Sequence, residues 1–309
     1  MRICSLLPSA TEIICALGLE DSLVGVSHEC DFPPGVRTKP ALIRPRVDPA
    51  APPAEIDRQV CEFLRRGESI YAVDAELLLR LEPDLILTQD LCHVCAASPD
   101  DLATALARAP RPPRVVTLSP HSLNDVWNDI RSVGNATGRR IRAEELVHEI
   151  GTRVDQVAQA CAGSETRPRV ACLEWLSPLY CGGHWVPEMV TLAGGEDVLG
   201  RAGIPSFRVT WQQVFEARPD VVLLMPCGYN AEKAAREFSE LELPVGWPDL
   251  PAVRTGRVFA VDANSYFSRP GPRLAVGLEL LAELLWPDNP GVLSLNLSLP
   301  TSNAAIPLR

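Results

Sequence analysis

A chain of 309 residues is longer than a single hydrophobic core usually fills, so two domains of ordinary size are expected. Its 46% hydrophobic and 22% charged residues are those of a folded globular protein, which excludes a disordered or fibrous chain. A formal charge of -10 argues against nucleic acid and anionic membrane surfaces as partners, since both call for clustered Lys and Arg.

Residues Met1 to Leu19 are fairly apolar, but Pro8, Ser9, Thr11 and Glu12 interrupt the run and no small-residue cleavage site follows it. Arg2 to Leu7 reads as a strand and Ser9 to Leu17 as a helix. No segment approaches the roughly 18 uninterrupted apolar residues of a membrane span, so membrane insertion is not expected. The expectation from this reading is a cytoplasmic location, with the periplasm as the alternative, and the ten cysteines are expected as reduced thiols.

The first half continues with "SLVGVS" as a second strand, stopped by the polar turn "HECDFPPG". The proline-rich passage from Lys39 to Pro53 reads as a surface loop. "AEIDRQVCEFLRRG" has helical spacing through Ile56, Val60, Phe63 and Leu64, "DAELLLRLEP" is a short helix, "DLILTQD" a buried aliphatic strand, and "RVVTLSP" a closing strand.

A polar connector follows. Ser122 and Asp125 mark a helix start, and Leu123, Val126, Trp127, Ile130 and Val133 keep helical spacing until Gly134 and Gly138 interrupt it. From Arg142 a longer helix carries Leu146, Val147, Ile150, Val154, Val157 and Cys161 on one stripe.

The second half repeats the grammar of the first: "RVACLEW", then "TWQQVFEARPDVVLLMP" echoing "DAELLLRLEPDLILTQD", then "GRVFAVDAN". Arg273 to Trp286 reads as an amphipathic helix, and the stretch from Pro287 as an irregular tail. The fold class that follows is α/β: two Rossmann-like lobes with mostly parallel sheets joined by a long backbone helix. The expected domains are residues 1–121, a helical connector at 122–163, residues 164–286 and a tail at 287–309.

In open α/β sheets, ligands bind beyond the carboxyl ends of the strands. The loops expected there hold the unusual residues: Ser27 to Asp31, Leu91 to Cys95, Trp175 to Glu188, and Asn264 to Arg269. Cys92 and Cys95 have the C-x-x-C spacing of zinc, iron–sulfur and thiol redox sites, with Cys30, His28 and His184 as the residues able to complete a ligand set. The alternative is that these cysteines are buried free thiols. Rings in or beside presumed loops, including Tyr71, Trp175, Tyr180, Trp185, Phe207, Tyr266 and Phe267, suit a flat, largely apolar ligand or else pin loops to their lobe. His121 and His148 fall on the connector, where solvent is the default surrounding. No nucleophile elbow or paired-acid constellation stands out, so no enzyme activity is expected.

At "SLLPSATEIICALGLEDSLVGVSHECDFP", "LEPDLILTQD" and "SRPGPR" the chain resembles the helical-backbone class of substrate-binding proteins, which serve importers of cobalamin, heme and ferric siderophores. The likeness covers about residues 2 to 285 and is nearest to the cobalamin-binding members. It implies two α/β lobes bridged by one long helix, a ligand in the cleft between them, and an importer permease as partner. By position, the implied ligand-binding residues are His28, Glu29, Tyr71, Gln89, Trp175, His184, Trp185, Phe207, Tyr266, Phe267 and Arg269, holding cobalamin or a related corrinoid, with heme or an iron chelate as the alternative. A metal or redox site at Cys30, Cys92 and Cys95, with zinc or iron, is the reading from a different class. The family's docking acids correspond to Glu76 in the first lobe and, in the second, to Gln212, with Glu216 one turn on.

Overall fold

The aliphatic runs become central strands. The computed structural model describes residues 1–90, 99–107, 109, 111–162, 166–295 and 303–308. The chain divides into two compact units, the first comprising Met1–Pro120 and Asn124–His148, the second His121–Leu123 and Glu149–Arg309.

The first unit starts with β1 (Ile3–Ser5), α1 (Pro8–Ala16) and β2 (Leu23–Ser27). After β2 come β3 (Ala41–Pro45), α2 (Pro53–Arg65), β4 (Tyr71–Val73), α3 (Ala75–Leu81), β5 (Leu85–Gln89), α4 (Pro99–Leu106) and β6 (Arg114–Leu118). The sheet order is β4-β3-β2-β1-β5-β6, parallel except for the antiparallel β3–β4 pair. Strand order therefore reverses at β1, whose neighbours are β2 and β5. Cys4, Leu42, Ile43, Leu78 and Ile86 fill the core of this unit with less than 2% exposure each. Two expectations change here. The passage from Lys39 to Pro53 contains β3, because Leu42 and Ile43 between the prolines bury fully and pair with β2. Tyr71 lies on the edge strand β4 and not in a loop.

Two helices follow, α5 (Leu123–Ala136) and α6 (Arg140–Cys161). Gly134 does not interrupt α5. A Cβ there would stand 2.4 Å from the Ala143 Cβ, so the missing side chain lets α5 and α6 approach closely. Gly138, at φ +72, makes the turn between them. The 22 residues of α6 span about 33 Å at about 1.5 Å per residue.

The second unit holds β7 (Arg169–Leu176), β8 (Leu179–Cys181), α7 (Val186–Leu192), β9 (Glu196–Asp197), α8 (Trp211–Ala217) and β10 (Val221–Leu224). It continues with α9 (Ala231–Ser239), α10 (Pro251–Arg254), β11 (Val258–Val261), α11 (Ala263–Tyr266), α12 (Leu274–Leu285), α13 (Pro290–Leu293) and β12 (Ala305–Leu308). Its sheet runs β12-β11-β10-β7-β8, with β9 parallel to β7. The β7–β10 and β10–β11 pairs are parallel, while β8 and β12 are antiparallel additions. The stretch from Trp175 to Glu188, expected as a loop, is mostly ordered structure: the end of β7, the β7–β8 hairpin and the start of α7. Asn264 and Tyr266 likewise belong to α11. The tail expected to be irregular from Pro287 contains α13 and ends in β12, where alternating Ile306 and Leu308 pack onto the sheet.

The helix expected to be amphipathic, α12, is buried almost all round, including Glu279 at 6% exposure. Arg153 on α6 answers that charge with two hydrogen bonds of 2.7 Å each to the two Glu279 oxygens. A forked guanidinium–carboxylate pair is what a buried acid on an apolar helix needs.

Candidate functional site

In the first unit the carboxyl ends of β2, β1 and β5 stand side by side at the point where strand order reverses, the place a parallel sheet offers for a ligand. The side chains there are neutral and polar: Ser5, Thr11, Ser27 and Gln89 are all at most 5% exposed. Thr11 on α1 donates its hydroxyl to Ser5 Oγ at 2.8 Å and lies 3.0 Å from Cys30 Sγ, while Ser5 Oγ donates to the Leu7 carbonyl at 3.0 Å. Cys30, 5% exposed, is thus packed under the β1–α1 turn by a hydroxyl contact, as a small buried thiol commonly is.

His28 follows β2 directly. Its Nδ1 lies 3.4 Å from Ser27 Oγ, its Nε2 3.5 Å from Glu29 Oε1, and its ring 5.8 Å from Tyr71 at 51°. Burial pushes the His28 pKa down, against the opposing pull of Glu29 and of a hydrogen bond to the Ile43 backbone. Tyr71 is half-buried on β4, Glu29 is exposed, and Gln89 is the last residue of β5. Four of the expected residues, His28, Glu29, Tyr71 and Gln89, therefore sit on or just beyond neighbouring strands of one sheet. Cys92 and Cys95 lie outside the described residues.

In the second unit, Trp175 near the end of β7 pairs across the hairpin with Tyr180 and donates its indole N–H to the Ser177 carbonyl at 3.1 Å. Its ring meets Tyr229 edge-on at 5.6 Å, and Lys233 Nζ stands 3.7 Å from the Tyr229 ring centroid. The Tyr229 hydroxyl is buried without a hydrogen-bond partner, and burial, with Glu237 adding, pushes its pKa up to about 12. Sequence reasoning missed Tyr229. The signal was available: it follows the aliphatic run "VVLLMP", a strand end like those whose loops were searched.

His184 lies between β8 and α7 with φ +52, a left-handed conformation that a non-glycine side chain seldom takes. Its N–H donates to the Ile204 carbonyl at 2.7 Å and its carbonyl accepts from Gly203 at 2.8 Å, which hold that turn. The ring stacks on Trp185 at 5.5 Å, and its pKa falls to about 4, through burial first and His121 second. Trp185, 4% exposed, donates its indole N–H at 2.8 Å to the carbonyl of Phe267, itself 1% exposed. Tyr266 is buried, with the Arg273 guanidinium 5.8 Å from its ring centroid. Arg269, 7% exposed, donates to Asn264 Oδ1 at 2.9 Å. Phe207 packs on the core of this unit and its carbonyl accepts from the Cys181 N–H at 3.1 Å. Trp185, Phe207 and Phe267 thus tie loops to this unit, and Tyr229, 4% exposed, is core as well, with half-buried Trp175 packed against it.

Two acids flank β7, Glu174 near its end and Asp197 on the paired strand β9. Burial raises Glu174 to about 7, opposed by hydrogen bonds from the Gly183 N–H and from Ser206. Asp197 rises to about 6 for the same reason, although the Leu199 and Gly200 N–H groups donate to its Oδ1 at 3.0 and 2.7 Å.

Among the described residues no group of three or more His, Cys, Asp or Glu side chains is set to hold a metal ion. The Cys30, Cys92 and Cys95 ligand set accordingly has no support: Cys30 is engaged with Thr11, and the other two are not described.

A two-sheet α/β chain with this strand order matches the family model "Periplasmic binding protein" over residues 3–265. The chain belongs to that family. Among its relatives, the uncharacterized ABC transporter substrate-binding lipoprotein YvrC of Bacillus subtilis is 25% identical over 294 residues, covering 93% of this chain and 80% of YvrC. The vitamin B12-binding protein of Vibrio cholerae is 24% identical over 286 residues, covering 92% of this chain and 88% of the relative. The periplasmic heme-binding protein RhuT from Roseiflexus sp. RS-1 shares the fold, with a TM-score of 0.70 at 24% identity over 93% of this chain and 98% of RhuT.

Membership overturns the cytoplasmic location expected from the N-terminus. The family is periplasmic and YvrC is a lipoprotein, which points outside the cytoplasm. The expectation rested on reading no export signal in Met1 to Leu19; those residues form β1 and α1 and say nothing of the compartment. No described helix is long and apolar enough to cross a membrane.

Proposed function

We propose that this periplasmic binding protein captures a corrinoid and presents it to an ABC importer, without enzymatic activity of its own. The observation that carries the reading is the pair of aromatic and polar groups at the strand ends: His28 beside Tyr71 in the first unit, and in the second half-buried Trp175, backed edge-on by the buried Tyr229. Large flat rings contribute most of the contact area for an extended, partly apolar macrocycle, and neutral hydrogen-bonding groups such as Gln89 orient it. A neutral imidazole at His28 suits contact with a macrocycle or its metal better than an imidazolium does. The vitamin B12-binding relative supports this choice of ligand class. Exposed Glu76 on α3, and Glu216 on α8, which accepts from Gln212 at 2.8 Å, are the groups we assign to permease arginines.

Titration of the purified chain with hydroxocobalamin and separately with hemin, followed by absorbance, tests the reading. The expected result is saturable one-to-one binding of the corrinoid, weakened by about 2 kcal/mol, roughly thirtyfold, in Trp175→Ala and in Tyr71→Ala. Saturable hemin binding with no corrinoid binding would transfer the site to heme, as in RhuT.

A further inference from the structure

We propose that His121 and His184 together form a binding site for a late first-row divalent cation, Ni2+ or Zn2+, in the second unit. The two imidazoles have ring centroids 5.7 Å apart and are tilted by 45°. At a metal–nitrogen bond of about 2.0–2.1 Å, two imidazoles on one tetrahedral ion hold their centroids roughly 5 to 6 Å apart. The spacing therefore suits a shared ion without movement of either backbone.

Three further observations point the same way. His184 Nδ1 is buried and has no hydrogen-bond partner, which costs folding free energy unless something occupies that nitrogen. The backbone bears a strained left-handed conformation at the same residue, of the kind that clusters at ligand sites. The His184 ring and the segment carrying His121 are also held in place. The His184 ring lies on Trp185, which the Phe267 carbonyl anchors, and the segment carrying His121 is tied down by the Leu123 N–H donating to Glu188 Oε2 at 2.9 Å.

Two imidazoles are a partial ligand set, and among the described residues no third His, Cys, Asp or Glu completes it. Water or a small anion fills the remaining positions, which sets the affinity well below that of a structural zinc centre. Imidazole donors favour Zn2+, Ni2+ and Cu2+ over Mg2+ and Ca2+. A tetrapyrrole metal offers one axial position on each face, so two rings on one side of it cannot both ligate. This site is therefore independent of the corrinoid reading and is tested without any corrinoid present.

The test is calorimetric titration of the full, untagged chain with NiCl2, with Trp fluorescence followed in parallel because Trp185 stacks on His184. One equivalent of Ni2+ is expected, with quenching, displaced by Zn2+ and not by Mg2+. His121→Ala, a change at an exposed residue that leaves the fold intact, should weaken binding by roughly tenfold or more, since even loss of an outer partner costs that much. His148→Ala, at an exposed histidine outside the pair, should leave it unchanged. Absence of Ni2+ binding, or binding that survives His121→Ala and disappears in Cys92→Ser with Cys95→Ser, would overturn the proposal.

Discussion

Both units are built on a mostly parallel sheet with helices, but they finish their strand ends with different chemistry. The first buries hydroxyls and an amide, Ser5, Thr11, Ser27 and Gln89, with His28 beside them as the titrating group whose pKa burial lowers. The second carries two half-buried acids, Glu174 near the end of β7 and Asp197 on β9, raised by desolvation to about 7 and about 6. The difference teaches that a common scaffold fixes where a ligand surface lies and leaves its electrostatics free. Among the described carboxyls of the first unit, Asp129 on α5 is raised to about 7 by burial and by Asp125, while at the strand ends burial lowers the His28 pKa instead.

The largest effect that sharpens this contrast concerns glycines. A Cβ on Gly183 would meet the Ser206 nitrogen at 2.3 Å and the Ile204 carbonyl at 2.7 Å, both backbone atoms that cannot yield. In the first unit a Cβ on Gly25 would meet the ends of the Leu42 and Leu81 side chains at 2.6 and 2.8 Å, which can rotate. Gly183→Ala should cost about 3 kcal/mol or more in urea denaturation, and Gly25→Ala about 1 kcal/mol. Equal costs would remove the claim that the second unit's turn is the more rigid.

Next in size is Arg153→Ala, which strips the partner from a Glu279 side chain that is 8% exposed while Arg153 itself is 41% exposed. Exposure of the guanidinium limits the loss to about 1–3 kcal/mol. Glu279→Gln combined with Arg153→Ala should recover part of it, because no buried charge is left unpaired.

The smallest and most specific effect is on pH. A carboxyl with a higher pKa folded than unfolded holds its proton more tightly in the folded state, so stability falls as pH rises between the two values. For Glu174 that window runs from its ordinary 4.5 to about 7, and for Asp197 from 3.8 to about 6. His184 has the opposite sign: its pKa drops from 6.5 to about 4, so stability is lost as pH falls through that range. Glu174→Gln should match the wild type near pH 4 and exceed it above pH 7, read from denaturation midpoints across the range. A constant offset at all pH values would mean that the Glu174 pKa is the same in the folded and unfolded chain.

Much of the fold was legible because fully buried parallel strands have to be continuous aliphatic runs, as in "DLILTQD" and "VVLLMP". What escaped was set by tertiary context. β3 hides between prolines and β12 is four residues at the end of a polar tail, each specified by a neighbouring strand more than by its own pattern. Gly134 reads as a helix breaker until its contact with Ala143 is known. At the proposed site, strand-end position singled out His28 and Trp175, while Tyr71 came from the ring argument and the family resemblance. The same rings-in-loops argument failed to separate these from Trp185 and Phe267, because an indole N–H bonded to a backbone carbonyl leaves no trace in sequence.

The central claim is that strand-end residues of both units hold the corrinoid. Hydrogen–deuterium exchange with and without saturating cyanocobalamin tests it most directly. The account predicts slowed exchange at residues 27–30 and 71–73 in the first unit and at 174–176 and 227–231 in the second. Bound ligand with protection in only one unit, or at none of these segments, would contradict it.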